Sequence, residues 1–115
     1  MEHNFHGPSY TIGIEEELMI VDAETHALVN AIESLLGDTP DGEIKPELHE
    51  SVLEISTNPA RNTHEAGRRL RALREQVRER AARRGLTIGS AGTHPFAKWE
   101  EQRIVSRPRY RELVT

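Results

Sequence analysis

Residues 11–21 have the apolar pattern of a β-strand but carry three consecutive glutamates, and this combination most constrains the fold. A strand is stabilised by burying apolar side chains, and successive side chains alternate between the two faces of a sheet. Glu15 and Glu17 therefore project from one face, while Glu16 projects from the other. Neighbouring carboxylates repel each other unless a cation lies between them or one is protonated. The segment predicts either an acidic edge strand open to water or a site for a hard divalent cation such as Mg²⁺.

The size and composition of the chain narrow the classes of protein to consider. Its 115 residues suffice for one small domain with a modest core. It has no cysteine, which excludes a disulfide framework, a thiolate metal site and a cysteine nucleophile. Residues 1–8 lack the features of a secretory signal, and no apolar run is long enough to span a bilayer. These features predict a cytoplasmic protein with no membrane partner.

Residues 62–84 have the pattern of a single amphipathic helix. Asn62 and Glu65 have the spacing of an N-terminal capping box, and Gly85 suits a left-handed stop. Between them, apolar residues recur every three or four positions and would form one buried stripe. The stripe consists of Ala66, Leu70, Leu73, Val77 and Ala81.

The same segment is rich in arginine, with eight arginines and three glutamates between residues 64 and 84. Clustered arginines can bind phosphates, so a nucleic-acid-binding module that uses this helix is one alternative function. The glutamates interrupt the basic surface, however, and no aromatic residue lies among the arginines to stack on bases. The pattern therefore favours a solvated basic face and no nucleic-acid partner.

The remaining elements complete an antiparallel sheet. Strand-like segments are expected at residues 27–30, 47–57 and 86–92, and a loop rich in turn residues at 37–42. Residues 108–114 begin a helix with too few turns to be complete, which we interpret as a cut through an element. The elements predict an α+β fold, with an antiparallel sheet covered by the amphipathic helix. An open sheet edge would favour a homo-oligomer.

Two further groups of residues could carry chemistry. Glu47, Glu50 and Glu54 lie near His49, but Glu47 and Glu54 would face opposite sides of a regular strand. They can converge only through a bulge or an irregular start after Pro46, and otherwise the acids would face water. The third group is in residues 89–95, where Thr93 and His94 follow a run of small residues. Taken alone, His94 is more typical of a hydrogen-bonded structural histidine than of a ligand.

Three segments together resemble the type 2 glutamate–cysteine ligase family, also described as the carboxylate–amine ligase family. They are TIGIEEELMIVD at residues 11–22, IKPELHESVLEI at 44–55 and AGTHPF at 91–96. Their order and spacing match that family over nearly the whole chain. The resemblance implies a glutamine-synthetase-like catalytic fold that uses ATP and Mg²⁺, with amino acids, glutamate and cysteine, as substrates. It implies that γ-glutamylcysteine forms through an acyl phosphate.

The resemblance also implies roles for individual residues. Mg²⁺ would be held by Glu15, Glu17, Glu54 and Glu47. His94, with Thr93 beside it, would lie near the phosphates of ATP or near a metal ion. Glu16 would form a structural ion pair with an arginine, and no residue of this chain is assigned a catalytic role.

Members of that family are much longer than this chain. Residues 1–115 would therefore form the N-terminal part of a single, truncated ligase catalytic domain. Basic groups for the ATP phosphates and most of the amine pocket would lie outside it. A second alternative function follows, in which the chain is a noncatalytic divalent-metal-binding fragment that retains the acidic face.

Overall fold

The computed structural model describes residues 10–38 and 42–115, which form a four-stranded antiparallel sheet with helices. The strands are β1 (Glu15–Asp22), β2 (Ile44–Pro46), β3 (Val52–Ser56) and β4 (Leu86–Gly89). The helices are α1 (Ile32–Leu36), α2 (Thr63–Ala82) and α3 (Pro108–Leu113), and Trp99–Glu101 forms a 3-10 turn. The strand order across the sheet is β2-β3-β1-β4. The predicted α+β class is confirmed. Residues 1–8 and part of the predicted loop at 37–42 lie outside the described residues.

The strand register gives the sheet two faces of opposite character. Glu17 lies opposite Glu54 and Met19 lies opposite Val52, so these side chains share one face. We call it the open face and define it by Glu15, Glu17, Met19, Lys45, Val52 and Glu54. The other face is apolar and buried against helices, and its central residues are Leu18, Ile20, Leu53 and Ile55. The main core cluster thus lies on one side of the sheet.

Helix α2 covers the core face as its sequence pattern predicts. Ala66, Leu73, Val77 and Ala81 are buried, and Leu70 is partly buried against the core. Burying such a stripe removes apolar surface from water, and this stabilises the fold by about 25 cal/mol for each Å² buried. Gly85 follows the helix with φ of +67°, the left-handed conformation that glycine adopts without strain.

The N-terminus of α2 is capped by Asn62, whose Oδ1 accepts a hydrogen bond of 2.9 Å from the amide of Glu65. The Glu65 carboxylate reaches one residue further back than a capping box requires, and accepts the amide of Arg61 at 2.9 Å. It also pairs with the guanidinium groups of Arg61 and Arg69. The hydrogen bonds from Arg61, above all its amide, lower the pKa of Glu65 to about 2. The bonds from Arg61 and Arg69 to the Glu65 carboxylate therefore favour its ionised form.

Two predicted strands are shorter than expected. Residues 27–30 pair with β1 through a single bridge at Leu28, with hydrogen bonds from the Asp22 amide to the Ala27 carbonyl and from the Val29 amide to the Ile20 carbonyl. The next two amides, of Ala31 and Ile32, donate to the Glu50 carbonyl, so the chain leaves β1 there. In residues 47–57 the strand covers only Val52–Ser56. Residues 47–51 instead form a turn that bonds to residues 103–105. The predictions of strands at 27–30 and over the whole of 47–57 are therefore wrong.

The last two predicted elements are present with different lengths. The strand expected at residues 86–92 ends at Gly89, three residues before the Gly92 turn. Helix α3 begins at Pro108 as expected, and Tyr110 donates a hydrogen bond of 2.8 Å from its hydroxyl to the Pro46 carbonyl. This bond ties α3 to the end of β2. In the described part of the chain, no helix has the length and apolar character needed to cross a membrane.

Candidate functional site

A cluster of carboxylates lies on the open face of the sheet. One carboxylate oxygen from each of Glu17, Glu47 and Glu54 lies within 4.8 Å of the others. Glu17 is exposed, whereas Glu47 and Glu54 are half-buried. Oxygen atoms at this spacing are the donors that hard divalent cations such as Mg²⁺ prefer. The donor set of this cluster, which we call the acidic cluster, therefore fits such an ion.

The acidic cluster follows from two local features of the sequence. Glu17 and Glu54 are directly opposite in the β1–β3 ladder, so strand alternation alone brings them together. Glu47 approaches from the β2–β3 turn, where its own Oε1 accepts the amide of Leu48 at 2.9 Å. Because residues 47–51 are not extended, the opposite parity of Glu47 and Glu54 does not separate them. The irregular start that the sequence left open is what joins them.

Glu15 lies on the open face but outside the acidic cluster. Glu15 lies opposite Ser56 in the ladder, two residues before Glu17 and therefore on the same face. Its charge acts on Lys45, because Glu15 contributes to raising the pKa of that ammonium. The metal-binding role predicted for Glu15 stays a prediction, as do the roles predicted for Glu17, Glu47 and Glu54.

Lys45 supplies a positive charge inside this acidic surface. Its Nζ lies 2.7 Å from Oε1 of Glu54, and the two residues are opposite each other in the β2–β3 ladder. This oxygen is buried, and the ammonium of Lys45 forms an ion pair with it. Contact with Glu54 is the main cause of the raised pKa of Lys45, and burial opposes it. Lys45 is therefore ionised and neutralises part of the acidic cluster.

Glu16 points to the opposite side of the sheet and binds the covering helix. Both carboxylate oxygens accept hydrogen bonds of 2.7 Å from the guanidinium of Arg74 on α2. Such two-point pairs fix orientation as well as charge. The predicted structural ion pair between Glu16 and an arginine is confirmed. Glu16 therefore stabilises the packing of α2 on the sheet, whereas Glu15 and Glu17 lie on the open face.

The loop after β4 carries the two residues predicted to lie near a nucleotide. His94 accepts hydrogen bonds at Nδ1 from the amides of Phe96 and Ala97, and its Nε2 lies 2.8 Å from the His26 carbonyl oxygen. Because Nδ1 accepts the two amides, Nε2 is the ring nitrogen that donates to the His26 carbonyl. Both ring nitrogens are thus engaged in holding the loop, whereas Thr93 is exposed. The nucleotide roles of His94 and Thr93 stay predictions.

A cavity of about 340 Å³ lies between this loop and the open face. Met19 and Val52 belong to its lining, and both are one same-face position, about 7 Å, from the Glu17–Glu54 pair. Thr93 and the half-buried His49 line it as well. The buried Ser51 hydroxyl also lies there and donates to Oε1 of Gln102 at 2.7 Å. An organic group bound there would lie beside the acidic cluster.

The arginines of α2 are partly neutralised by glutamates of the chain. Besides Arg74, Arg69 pairs with Glu65 at 2.9 Å and Arg78 pairs with Glu75 at 2.8 Å. These contacts fit the solvated, ion-paired face that the sequence favours. The absence of a nucleic-acid partner stays a prediction. Exchange of Arg71 and Arg78 for glutamate, followed by duplex binding at several salt concentrations, would test it.

Sequence reasoning missed two features of the site. Lys45 was overlooked because residues 44–46 were not recognised as a strand of their own. The signal was present, since Lys45 and Glu47 are two residues apart and alternate with Ile44 and Pro46. Glu50 was left without a role, and its side chain faces Arg103 at 3.8 Å. Its backbone serves as the junction between α1 and residue 103.

The fold and the acidic cluster define an α+β protein with a candidate site for a hard divalent cation. The chain belongs to glutamate–cysteine ligase family 2, whose sequence model matches residues 11–115. The resemblance seen in the sequence motifs is therefore confirmed, and with it membership of a carboxylate–amine ligase family.

Relatives in three bacteria cover almost the whole chain. A protein of Rubrobacter xylanophilus, provisionally named glutamate–cysteine ligase 2-1, is 41% identical and covers 99% of this chain and 31% of its own length. A provisionally named glutamate–cysteine ligase 2 of Chloroflexus aggregans is 46% identical over 92% of this chain and 28% of its own length. One of Sorangium cellulosum is 42% identical, with 91% and 29% covered. The chain thus spans about three tenths of the length of these relatives.

Proposed function

We propose that the chain is the cation-binding part of an ATP-dependent carboxylate–amine ligase that joins glutamate to cysteine. The observation that carries this proposal is the convergence of Glu17, Glu47 and Glu54 within 4.8 Å on the open face. Family membership and the provisional names of the relatives support the ligase activity. The antiparallel sheet, with an acidic cluster on the face opposite to the main core, supports a glutamine-synthetase-like catalytic fold.

The proposed reaction has two steps. An oxygen of the glutamate side-chain carboxylate attacks the γ-phosphorus of ATP, the bond to the β-phosphate oxygen breaks, and ADP leaves. The cysteine amine then attacks the carbonyl carbon of the acyl phosphate, loses a proton and displaces inorganic phosphate. Phosphoryl transfer depends mainly on positioning and on neutralising phosphate charge. Mg²⁺ supplies that neutralisation when bound, and Glu17, Glu47 and Glu54 would hold it, with Glu15 adding negative charge nearby.

The residues around the cavity would orient the organic parts of the substrates. Thr93 offers an exposed hydroxyl to a phosphate or carboxylate. His94 would act by fixing the loop through its bonds to His26 and Ala97. The apolar surface of Met19 and Val52 would contact an uncharged part of a substrate.

Calorimetric titration with Mn²⁺ and Mg²⁺ tests the cation site. We expect Glu17→Gln to weaken binding at least tenfold, since one of three ligands becomes neutral. Glu24→Gln is the matched control, because it removes the same charge from an exposed turn beyond β1. Equal affinities for the two variants would show that the acidic cluster is not the cation site.

A protein of the full length of the relatives is needed to test the ligase. With ATP, glutamate and cysteine we expect ADP, phosphate and γ-glutamylcysteine in equal amounts, detected by mass spectrometry. Product must disappear when either amino acid is omitted. ATP hydrolysis that is independent of both amino acids would refute the proposed ligase.

A noncatalytic divalent-cation-binding chain is the second candidate function. The acidic cluster lies wholly within a chain that spans three tenths of its relatives' length, and this observation favours it. It predicts Mn²⁺ binding that is sensitive to Glu17→Gln, without any ATP turnover by this chain. Turnover by the 115-residue chain alone would exclude it.

A further inference from the structure

The acidic cluster already contains a cation of the protein itself. Nζ of Lys45 lies 2.7 Å from Oε1 of Glu54, the buried oxygen of a residue that also belongs to the acidic cluster. Lys45 is on the short strand β2, and its side chain is 36% exposed, so the ammonium can move towards water. A metal ion in the acidic cluster and the Lys45 ammonium would therefore bind the same carboxylate, that of Glu54.

The charges of the four side chains suggest a role for this contact. Three carboxylates and one ammonium carry a net charge of −2, whereas the carboxylates alone carry −3. We propose that Lys45 is an internal counter-ion, which competes with the bound cation for Glu54 and sets the affinity and charge selectivity of the acidic cluster. The role rests on the cation site of the proposed function. It makes Lys45 a specificity-determining residue for divalent over trivalent cations.

The geometry gives the expected size of the effect. Metal–oxygen bonds to Mg²⁺ are about 2.1 Å long, so a cation on Oε1 of Glu54 would lie within about 5 Å of Nζ, if Lys45 stays in place. At that separation, even with the dielectric constant of water, repulsion by the ammonium weakens divalent binding about fifteenfold at low salt. The energy scales with the charge of the ion, so trivalent binding is weakened about sixtyfold. If the ammonium moves away from Glu54 when the cation binds, the lost Lys45–Glu54 ion pair also lowers the cation affinity.

The test compares binding of Mn²⁺ and Tb³⁺ to the wild-type chain, Lys45→Met and Lys45→Arg. At low salt we expect Lys45→Met to tighten Mn²⁺ binding about fifteenfold and Tb³⁺ binding about sixtyfold, whereas Lys45→Arg changes neither by more than about threefold. Arg71→Met is the control, because it removes the same charge from an exposed position on α2, on the other side of the sheet. Lys45→Gln serves as a second neutral variant, and circular dichroism verifies the fold of each.

The results distinguish failure of the counter-ion role of Lys45 from failure of the cation site itself. Unchanged or weaker Mn²⁺ binding by both neutral variants, while Glu17→Gln still weakens binding, would overturn the counter-ion role and leave the cation site intact. Equal tightening for Mn²⁺ and Tb³⁺ would overturn charge selectivity. No Mn²⁺ binding by the wild type or by Lys45→Met at millimolar concentration would overturn the cation site itself, and the counter-ion role with it.

Discussion

Replacing Glu17 with glutamine is expected to stabilise the metal-free chain. Glu17 lies within 4.8 Å of both Glu47 and Glu54, and the hydrogen bonds found among the described residues do not include its side chain. Without a cation, its charge therefore repels two neighbours. The neutral amide keeps the size and shape of the side chain but removes the repulsion.

The magnitude follows from Coulomb's law. Two unit charges at that separation repel by about 0.9 kcal/mol in water, and screening at physiological salt reduces this to about 0.5 kcal/mol. Two such pairs give about 1 kcal/mol of added unfolding free energy, which corresponds to a rise in Tm of about 4 °C for a chain of this size.

Thermal unfolding followed by circular dichroism in EDTA measures the effect. The gain for Glu17→Gln should grow at low salt and shrink at high salt, while Glu24→Gln shows no comparable gain. Millimolar Mg²⁺ should then raise the Tm of the wild type more than that of Glu17→Gln, because the folded wild type binds the ion more tightly. A Tm for Glu17→Gln in EDTA that is unchanged or lower would refute the proximity of the three carboxylates.

Three further outcomes are expected from helix α2. Leu73→Ala should lower the unfolding free energy by about 2–5 kcal/mol in urea titrations, because Leu73 is 3% exposed and its loss leaves a cavity; an unchanged midpoint would contradict its burial. Asn62→Ala should cost about 1 kcal/mol through loss of the N-cap, and equal midpoints would contradict the cap. Glu65 has a pKa lowered from 4.5 to about 2, so its stabilisation is complete above about pH 4.5 and is lost as pH falls towards 2. Glu65→Gln should therefore have a lower Tm than the wild type at pH 7 and an equal Tm at pH 2, and a difference independent of pH would contradict an ionised Glu65.

Local signals in the sequence were sufficient for the covering helix. Its apolar stripe, its cap and its glycine stop all act over three or four residues, so each is visible without knowledge of the fold. The opposite directions of Glu15 and Glu16 likewise follow from the alternation of a strand. The partner of Glu16 on α2 was expected to be an arginine, but only the packing of helix on sheet identifies Arg74.

The turn at residues 47–51 and the positions of Glu47 and Lys45 depend on contacts between residues that are distant in sequence. The turn at residues 47–51 forms because its backbone bonds to residues 103–105, and a strand-like composition does not reveal such partners. For the same reason the approach of Glu47 to Glu54 stayed open until the turn was seen. Lys45 belongs to the open face because β2 pairs with β3, and the alternation of residues 44–47 in the sequence does not identify that partner strand.

Because the side chains of β1 alternate between two different faces, the strand tolerates a one-residue insertion or deletion far less well than a substitution. Glu16 and Leu18 must face the helix while Glu15 and Glu17 face the open side, and the pleat assigns these sides by counting residues. A single inserted or deleted residue between Glu17 and Leu18 would send either the carboxylates or the apolar side chains to the wrong side. Substitutions at the exposed positions can therefore alter the chemistry of the site gradually, whereas a one-residue change in length removes either the site or the core in one step.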